Sequence, residues 1–211
     1  MNLTERAYED IRTAILRGEF PPGSVLAEAS LAASFGVSKT PVRQALQLLR
    51  QEGLLTPGPR RQLIVSGVTP ERREEILAVR AALERIAVRK ACEVMTLDDV
   101  DYLRLLLIRQ TRASAALAED EFIDLDEAFH LGIAASARLP IVTRMLGNLR
   151  GFVRVMRLGT ERNRGHLDLV VAEHDAIVDA LERRNADAAV AALDAHLERS
   201  DYSTRTPSPN R

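Results

Sequence analysis

The sequence has little of what marks several large classes of protein. Cys92 is the single cysteine in 211 residues, so no intramolecular disulfide can form and nothing indicates an oxidising compartment. No segment has the roughly 18 uninterrupted apolar residues of a membrane helix. The amphipathic start MNLTERAYEDIRTAIL lacks the apolar core of a signal peptide. We therefore expect a cytoplasmic protein that makes no membrane contact.

Motifs of common enzyme classes are also missing. The chain has no serine or cysteine nucleophile motif and no glycine-rich phosphate loop. Hydrophobic residues make up 46% of it, which is ample for a packed core. The composition therefore predicts a folded protein. Its function has to be inferred from other features, beginning with the distribution of charged residues.

Positive charge is concentrated near the N-terminus, although the overall formal charge is only −1. Residues 1–70 carry eight Lys or Arg against six Asp or Glu, whereas residues 71–211 carry 21 against 24. Between Gly36 and Val65 the excess rises to five cations against Glu52 alone. A local excess of this kind suits a polyanionic partner.

Residues 1–68 have the pattern of a winged helix-turn-helix domain. Thr4 can cap an amphipathic first helix that ends at Gly18, and a second helix, EASLAASF, stops at the following glycine. Ser38 can cap a third helix, which ends at Gly53. The run LLTPGPRRQLIVSG then supplies two short β-capable segments around a tip rich in Pro, Gly and Arg. Three helices followed by a β-hairpin predict the winged fold.

Residues 69–202 show helical periodicity with few glycines or prolines. Breaks in that pattern divide them into six helices, and the breaks fall near 95, 118, 139, 165 and 185. We therefore expect a mainly α protein, with the winged domain followed by an antiparallel all-α bundle of about six helices. The remaining tail, 203–211, is polar and contains proline, and we expect it to be disordered.

The third helix has the residues of a helix that reads the DNA major groove. Such a helix buries one face on its own domain and presents short polar and cationic side chains at its N-terminal end. Arg43 can contact guanine or phosphate, and Gln44 can read adenine. The alternative is a solvated face of an ordinary helical bundle. We assign seven residues to a DNA-binding surface, of which the last two form the hairpin tip: Ser38, Lys39, Thr40, Arg43, Gln44, Arg60 and Arg61.

Three histidines and an aspartate fall on helix faces where a core would have aliphatic residues. Asp126 and His130 are one turn apart, His174 lies at the centre of an apolar stripe, and His196 shares a face with small apolar residues. One buried histidine can be satisfied by a hydrogen bond, but four inward polar residues suggest a shared divalent cation. Zn²⁺ is the first candidate, followed by Ni²⁺, Mn²⁺ or Fe²⁺. His166 falls at the edge of its stripe, and we expect it at the surface or rim.

The stretch LAASFGVSKTPVRQALQLLRQEGLL, followed by PRRQLIV, closely resembles the N-terminal domain of the GntR family of bacterial transcription regulators. The helical remainder resembles the FCD ligand-binding domain of the FadR-like branch of that family. The likeness covers about residues 4–200. It implies a homodimer that binds a two-fold symmetric DNA operator and responds to a small molecule, usually a carboxylate. The family's DNA-contacting positions correspond to Lys39, Thr40, Arg43 and the wing.

The same resemblance supports the metal and suggests where an effector binds. In many FCD domains an Asp-x-x-x-His helix and two later histidines hold a metal, and DEAFH, EHDAIVDAL and AHLE match those places. Arg80 lies in RAALE, a form of the family's frequent R-x-x-L-E pattern. Arg80 can pair with an effector carboxylate or, by helical spacing, with Glu84. Both alternatives remain open from the sequence.

Two functions are compatible with these features. The first is a transcription regulator whose operator affinity is modulated by a carboxylate metabolite bound near the metal. The alternative is a metal-dependent hydrolase with an accessory DNA-binding domain, since an open His/Asp-bound cation can activate water. Glu127 and Glu173 adjoin ligands in sequence, but neighbouring helix positions point about 100° apart, so neither is an obvious general base. We therefore predict a regulator and not an enzyme.

Overall fold

The computed structural model describes residues 2–59, 62–157 and 163–205. These residues form nine helices and one three-stranded sheet. The helices are α1 (Leu3–Leu16), α2 (Glu28–Phe35), α3 (Lys39–Gln51), α4 (Pro70–Val94), α5 (Leu97–Ala116), α6 (Glu119–Ser136), α7 (Pro140–Arg157), α8 (Arg164–Glu182) and α9 (Ala186–Arg205). The strands are β1 (Val25–Leu26), β2 (Leu55–Pro57) and β3 (Leu63–Val65).

The described chain divides into two compact units. The first contains residues 2–73 and 151–157, and the second contains residues 74–150 and 163–205. The first unit has the predicted helix-turn-helix and wing, and the second has the predicted six-helix bundle, so the mainly α fold class is confirmed. Within the part of the chain that the structure describes, no helix is both long and apolar enough to cross a bilayer.

The helix-turn-helix depends on a glycine that ends α2. Gly36 has a φ of 64°, in the left-handed region that glycine enters without strain. Ser38 takes the predicted N-cap position of α3, but its side chain makes no capping hydrogen bond. Pro41 is buried in the first turn, where its missing N–H breaks no helical hydrogen bond. The buried face of α3 then continues with Val42, Ala45, Leu46 and Leu49.

The predicted hairpin is part of a slightly larger sheet. Strands β2 and β3 pair antiparallel with Thr56 opposite Ile64, and β1 adds to the other edge of β3. Strand β1 was not predicted, because a two-residue strand is too short to show alternation. Arg60 and Arg61, which were assigned to the hairpin tip, lie outside the described residues.

The C-terminal residues of α7 belong to the first unit. Arg154 is buried there, and its Nε donates to the Leu16 carbonyl at 3.1 Å. The Arg72 guanidinium lies 4.5 Å from the centre of the Phe152 ring, a favourable cation–π distance. Residues 151–157 are therefore part of this unit's packing, although the sequence pattern assigned them to the helical domain.

The second unit packs α4 to α9 around one apolar core. Its largest fully buried side chains include Leu103, Phe129, Ile177, Leu181 and Leu193. Helix α5 is tied to α8 by Arg104, which bonds three acidic side chains at 2.5 to 2.7 Å. Cys92 is buried in this core, as expected of a structural thiol. Helix α9 continues through Arg205, and the rest of the tail, 206–211, lies outside the described residues.

Candidate metal centre and nucleic-acid interface

The residues predicted to contact DNA lie together on the surface of the first unit. Five of the seven are described, and all five are exposed: Ser38, Lys39, Thr40, Arg43 and Gln44. Pro41 and Val42, which interrupt them, are buried. Because the Ser38 hydroxyl does not cap the helix, the N-terminus of α3 keeps a hydroxyl and backbone N–H groups with which to meet a phosphate. One face of α3 thus anchors it while the other faces solvent.

Arg43 is held by an ion pair with Glu28 of α2. Its Nε lies 3.0 Å from both carboxylate oxygens of Glu28, and a terminal nitrogen lies 2.8 Å from one of them. The hydrogen bond lowers the pKa of Glu28 and raises that of Arg43. An arginine held in this way loses less rotamer freedom when it contacts a base, although Glu28 also offsets part of its charge. Sequence analysis missed this pairing, since Glu28 lies outside the basic stretch.

Gln44 is also held before any DNA contact forms. The Thr4 hydroxyl of α1 donates to Gln44 Oε1 at 2.8 Å. Bidentate readout of adenine uses the amide oxygen as acceptor and the amide nitrogen as donor. The oxygen would therefore share its lone pairs between Thr4 and the base. The contact between α1 and α3 thus sets the direction in which Gln44 points.

The four predicted metal ligands meet inside the second unit. Asp126 and His130 come from consecutive turns of α6, His174 from α8 and His196 from α9. One potential ligand atom from each residue lies within 4.8 Å of the corresponding atoms of the others. All four side chains are buried, and His174 and His196 are completely so. The bundle therefore brings together side chains from three helices.

Each histidine turns its Nδ1 away from the centre, toward a side-chain acceptor. The three pairs are His130 with Glu84 Oε2 at 2.7 Å, His174 with Gln110 Oε1 at 2.9 Å, and His196 with Glu173 Oε2 at 2.7 Å. Carboxylate and amide oxygens only accept hydrogen bonds. Each Nδ1 therefore donates a proton to its acceptor, and in a neutral ring the lone pair is then on Nε2.

The Nε2 atoms face one another across the centre. Ring centroids of the three histidines are only 4.6 to 5.2 Å apart, and His174 Nε2 lies 3.6 Å from Asp126 Oδ1. Within the described residues, Nε2 of His130 and of His196 has no hydrogen-bond partner. Burial lowers the pKa of His196 more than Glu173 raises it, which favours the neutral ring. Neutral imidazoles and one carboxylate are a donor set that fits a divalent transition metal.

Arg80 lies behind this centre rather than in it. Its Nε donates to Glu84 Oε1 at 2.6 Å, and both side chains are buried. Burial alone would raise the pKa of Glu84, but Arg80 and His130 outweigh it and hold that pKa well below its usual range. Of the two alternatives for Arg80, the structure contains the pair with Glu84. That pair fixes the acceptor for His130.

The two glutamates next to ligands in sequence do not point into the centre as bases. Glu173 accepts from His196 and is also bonded by Arg199. Burial opposes its ionisation, but these bonds lower its pKa. Glu127 forms an ion pair with Arg150 of α7. Neither arrangement provides the general base that a hydrolase would need.

Gln110, the hydrogen-bond partner of His174, was not predicted from the sequence. It is fully buried on α5, and its Nε2 donates to the Leu125 carbonyl at 3.1 Å. That bond orients the amide so that the oxygen meets His174. The Phe129 ring stacks on the other side of the imidazole, with centroids 4.1 Å apart. The His174 ring is therefore fixed both in its plane and in its tautomer.

Comparison with known proteins agrees with the fold of each unit. Residues 3–65 match the family model "Bacterial regulatory proteins, gntR family", and residues 75–199 match the FCD domain. The chain is 36% identical over 191 residues to an HTH-type transcriptional regulator in an unstable DNA locus of Streptomyces ambofaciens, covering 90% of this chain and 80% of that protein. It is 26% identical over 203 residues to the HTH-type transcriptional repressor RspR of Escherichia coli K12, covering 96% and 89%. Among solved structures, E. coli McbR/YncC has a TM-score of 0.87 at 25% identity, with 97% of each chain covered.

Replacing Gln110 with Leu tests the contribution of its two hydrogen bonds, to His174 and to the Leu125 carbonyl, in metal-free protein. The buried His174 Nδ1–H would lose its acceptor, and the Leu125 carbonyl would lose a donor. We expect the free energy of unfolding to fall by about 1 to 3 kcal/mol. The measurement is urea denaturation of chelator-treated protein, followed by circular dichroism.

Thr111→Val is the matched control, since it removes the exposed hydroxyl's hydrogen bond to the Leu107 carbonyl on the same helix. It should change stability by less than about 0.5 kcal/mol. Equal losses in the two variants would show that Gln110 has no special structural role.

Proposed function

We infer the function of this chain from the family to which it belongs, the GntR family of bacterial regulatory proteins, with an FCD domain as its C-terminal part. The chain is a transcription regulator rather than an enzyme, and the resemblance carried by GVSKTPVRQAL is confirmed. We propose that it binds a two-fold symmetric operator in the bacterial cytoplasm as a homodimer. A small carboxylate bound near a divalent metal in the second unit would change its operator affinity.

Operator contact is proposed for the exposed N-terminal end of α3 and for the wing. Arg43 is oriented by Glu28, and Gln44 by Thr4, so two base-reading side chains are positioned before DNA arrives. Ser38, Lys39 and Thr40 surround them at the helix N-terminus, where phosphate contacts fix the register of a recognition helix. Arg60 and Arg61 remain proposed wing contacts.

The metal half of the proposal rests on one observation. Three buried imidazoles form hydrogen bonds outward through Nδ1, and a potential ligand atom of each lies within 4.8 Å of those of the other two and of a buried carboxylate. A divalent cation would accept all four donors at once, and Zn²⁺ is our first candidate, ahead of Ni²⁺, Mn²⁺ or Fe²⁺. Four protein ligands leave coordination positions open if the metal is octahedral. When bound, such a metal supplies a positively charged centre that oxygen ligands can approach.

The local charges suit an anionic effector. The ligand set and the charged side chains bonded around it comprise three carboxylates and two guanidinium groups: Glu84, Asp126 and Glu173, with Arg80 and Arg199. A divalent cation would change the sum from one negative to one positive charge. One carboxylate would then neutralise the centre. Arg80 remains the proposed effector contact, and an effector carboxylate would have to replace Glu84 as its partner.

Regulation would follow from linkage between effector and DNA. An effector that prefers one arrangement of the dimer shifts the population toward that arrangement, and operator affinity changes by the same coupling free energy. Small changes in the spacing of two recognition helices suffice, because operator half-sites are separated by a fixed helical repeat.

Replacing Arg43 with Ala should selectively weaken binding to the operator. A bidentate contact with guanine contributes about 1 to 3 kcal/mol of discrimination, so operator affinity should fall about 5- to 150-fold. The measurement is a fluorescence anisotropy titration with a sequence selected from a random DNA library by the wild-type protein. Arg50→Ala is the control, since it removes an exposed positive charge from the other end of α3. Equal affinity losses in both variants would reduce Arg43 to a general electrostatic role.

Replacing His174 with Ala should lower the metal content of the purified protein. One of four donors is lost, and we expect metal affinity to fall by about tenfold or more. Elemental analysis and competition with a chromogenic chelator measure occupancy and affinity. His166→Ala is the matched control, because this histidine lies on the same helix and outside the cluster. Full occupancy in the His174 variant would remove it from the ligand set.

Carboxylates should stabilise the metal-loaded protein and leave the metal-free protein unchanged. A ligand at 100 times its dissociation constant adds about 2.7 kcal/mol to the free energy of unfolding. The test measures thermal unfolding with a panel of mono-, di- and tricarboxylic acids, before and after chelation. Operator titrations with the most stabilising acid then measure its effect on DNA affinity. An acid that stabilises both forms equally would not be bound at the metal.

A further inference from the structure

We propose that α5 is the dimerisation helix of the second unit. Its exposed face would pack antiparallel against the same face of a second copy, on a two-fold axis that passes beside Leu105. The choice of a second copy as the occupant rests on the proposed homodimer, and the location of the contact rests on α5 itself.

Helix α5 is apolar on two opposite faces. One face is buried in its own bundle and contains Val100, Leu103, Leu106, Leu107 and Ala113. The opposite face exposes large apolar side chains, with exposed fractions of 78% for Leu97, 49% for Tyr102, 53% for Leu105 and 51% for Ile108. Contiguous exposed apolar residues with a charged margin are typical of an interaction surface.

The exposed face has the spacing of a helix-packing seam. Asp98, Asp101, Leu105, Ile108 and Arg112 follow intervals of three, four, three and four residues. All five are exposed. This 3.5-residue average keeps side chains on one stripe that faces a partner helix. The centre of the stripe is leucine, which packs readily against its own symmetry mate.

The charges on this face are complementary to themselves in one orientation only. Asp98 and Asp101 precede Leu105 by seven and four residues, and Arg109 and Arg112 follow it by four and seven. In an antiparallel pair centred on Leu105, Asp101 lies opposite Arg109 of the second copy and Asp98 lies opposite its Arg112. A parallel pair would set like charges against each other. Two-fold contacts require this kind of self-complementarity.

The internal contacts of these side chains leave the face accessible. Arg109 lies 4.0 Å from Glu121 of α6, and both side chains are more than half exposed. Exposed pairs of this kind contribute little, so an aspartate of the second copy can compete for Arg109. Acidic residues early in a helix and basic ones late in it also match the helix dipole. The dipole does not account for the apolar stripe between them.

Leu105→Glu tests the apolar centre. Two glutamates would face each other across the axis, and we expect the dimer dissociation constant to rise by about tenfold or more. Sedimentation velocity over a range of protein concentrations measures it, and circular dichroism confirms folding. Leu169→Glu, at an exposed leucine of α8, is the matched control and should remain as dimeric as wild type. A dimer that survives Leu105→Glu unchanged would overturn the proposal.

A charge exchange provides the stricter test. Asp101→Arg and Arg109→Asp each place like charges opposite one another, and each should raise the dissociation constant about tenfold. The double variant restores two opposite-charge pairs with reversed sign, and its dissociation constant should return to within about threefold of wild type. If the double variant dissociates as readily as either single variant, the antiparallel pairing is wrong.

The outcomes separate this proposal from the proposed function. Sedimentation is measured without DNA or effector, so it does not depend on operator binding or on carboxylate response. A wild-type chain that is monomeric at all concentrations would overturn both the interface and the proposed homodimer, whereas a wild-type dimer that Leu105→Glu leaves intact would overturn the α5 interface alone. Conversely, a dimer with the expected charge exchange and no metal would support the interface and contradict the metal centre.

Discussion

Three imidazole rings packed within about 5 Å of one another, at the centre of an apolar bundle, are the constraint on which the second unit depends. Buried polar groups cost free energy unless each is satisfied. Every outward nitrogen therefore has an acceptor, and two of those acceptors, Glu84 and Glu173, have guanidinium partners of their own. The polar groups thus form successive layers. At the centre, Nε2 of His130 and of His196 has no hydrogen-bond partner among the described residues.

The exposed N-terminal end of α3, which is proposed to contact DNA, follows the opposite rule. Its five described candidate residues are exposed. Arg43 is paired with Glu28 and Gln44 with Thr4, so each of these two side chains has a partner within the chain. A partner within the chain keeps an exposed side chain in one rotamer, at the cost of competing with the base. The buried polar groups are held by several successive hydrogen bonds. The exposed side chains proposed to contact DNA also have to leave their internal partners when they bind a base.

The elements that sequence predicted well were those fixed by local chemistry. Helix α2 has the predicted bounds because the residue that follows it, Gly36, takes the left-handed backbone conformation that ends a helix and that glycine adopts without strain. Helix α1 begins two residues earlier than predicted, since Asn2 and Glu5 form a capping box and Thr4 bonds Gln44 instead. Both the helical breaks and the inward faces of the four polar ligands followed from periodicity.

The outer partners could not be predicted because they depend on packing between distant segments. Glu84 is 46 residues from His130, and Gln110 is 64 residues from His174. No pattern within one helix specifies which neighbour supplies an acceptor. From its place beside His174 in the sequence, Glu173 was considered only as a general base. Its role as the acceptor for His196 depends on how α8 and α9 pack against each other. The inward direction of a polar side chain can be predicted from a single helix, but its partner requires the tertiary structure.

Helix α5 shows how these constraints combine in one element. Gln110 faces the metal centre, Arg104 bonds the acidic side chains of α8, and Leu105 lies on the exposed stripe. A change at the centre that displaces the α5 backbone through Gln110 would also displace Leu105. If two copies meet along that stripe, occupancy of the metal centre and geometry of the dimer are therefore linked through a single rigid helix.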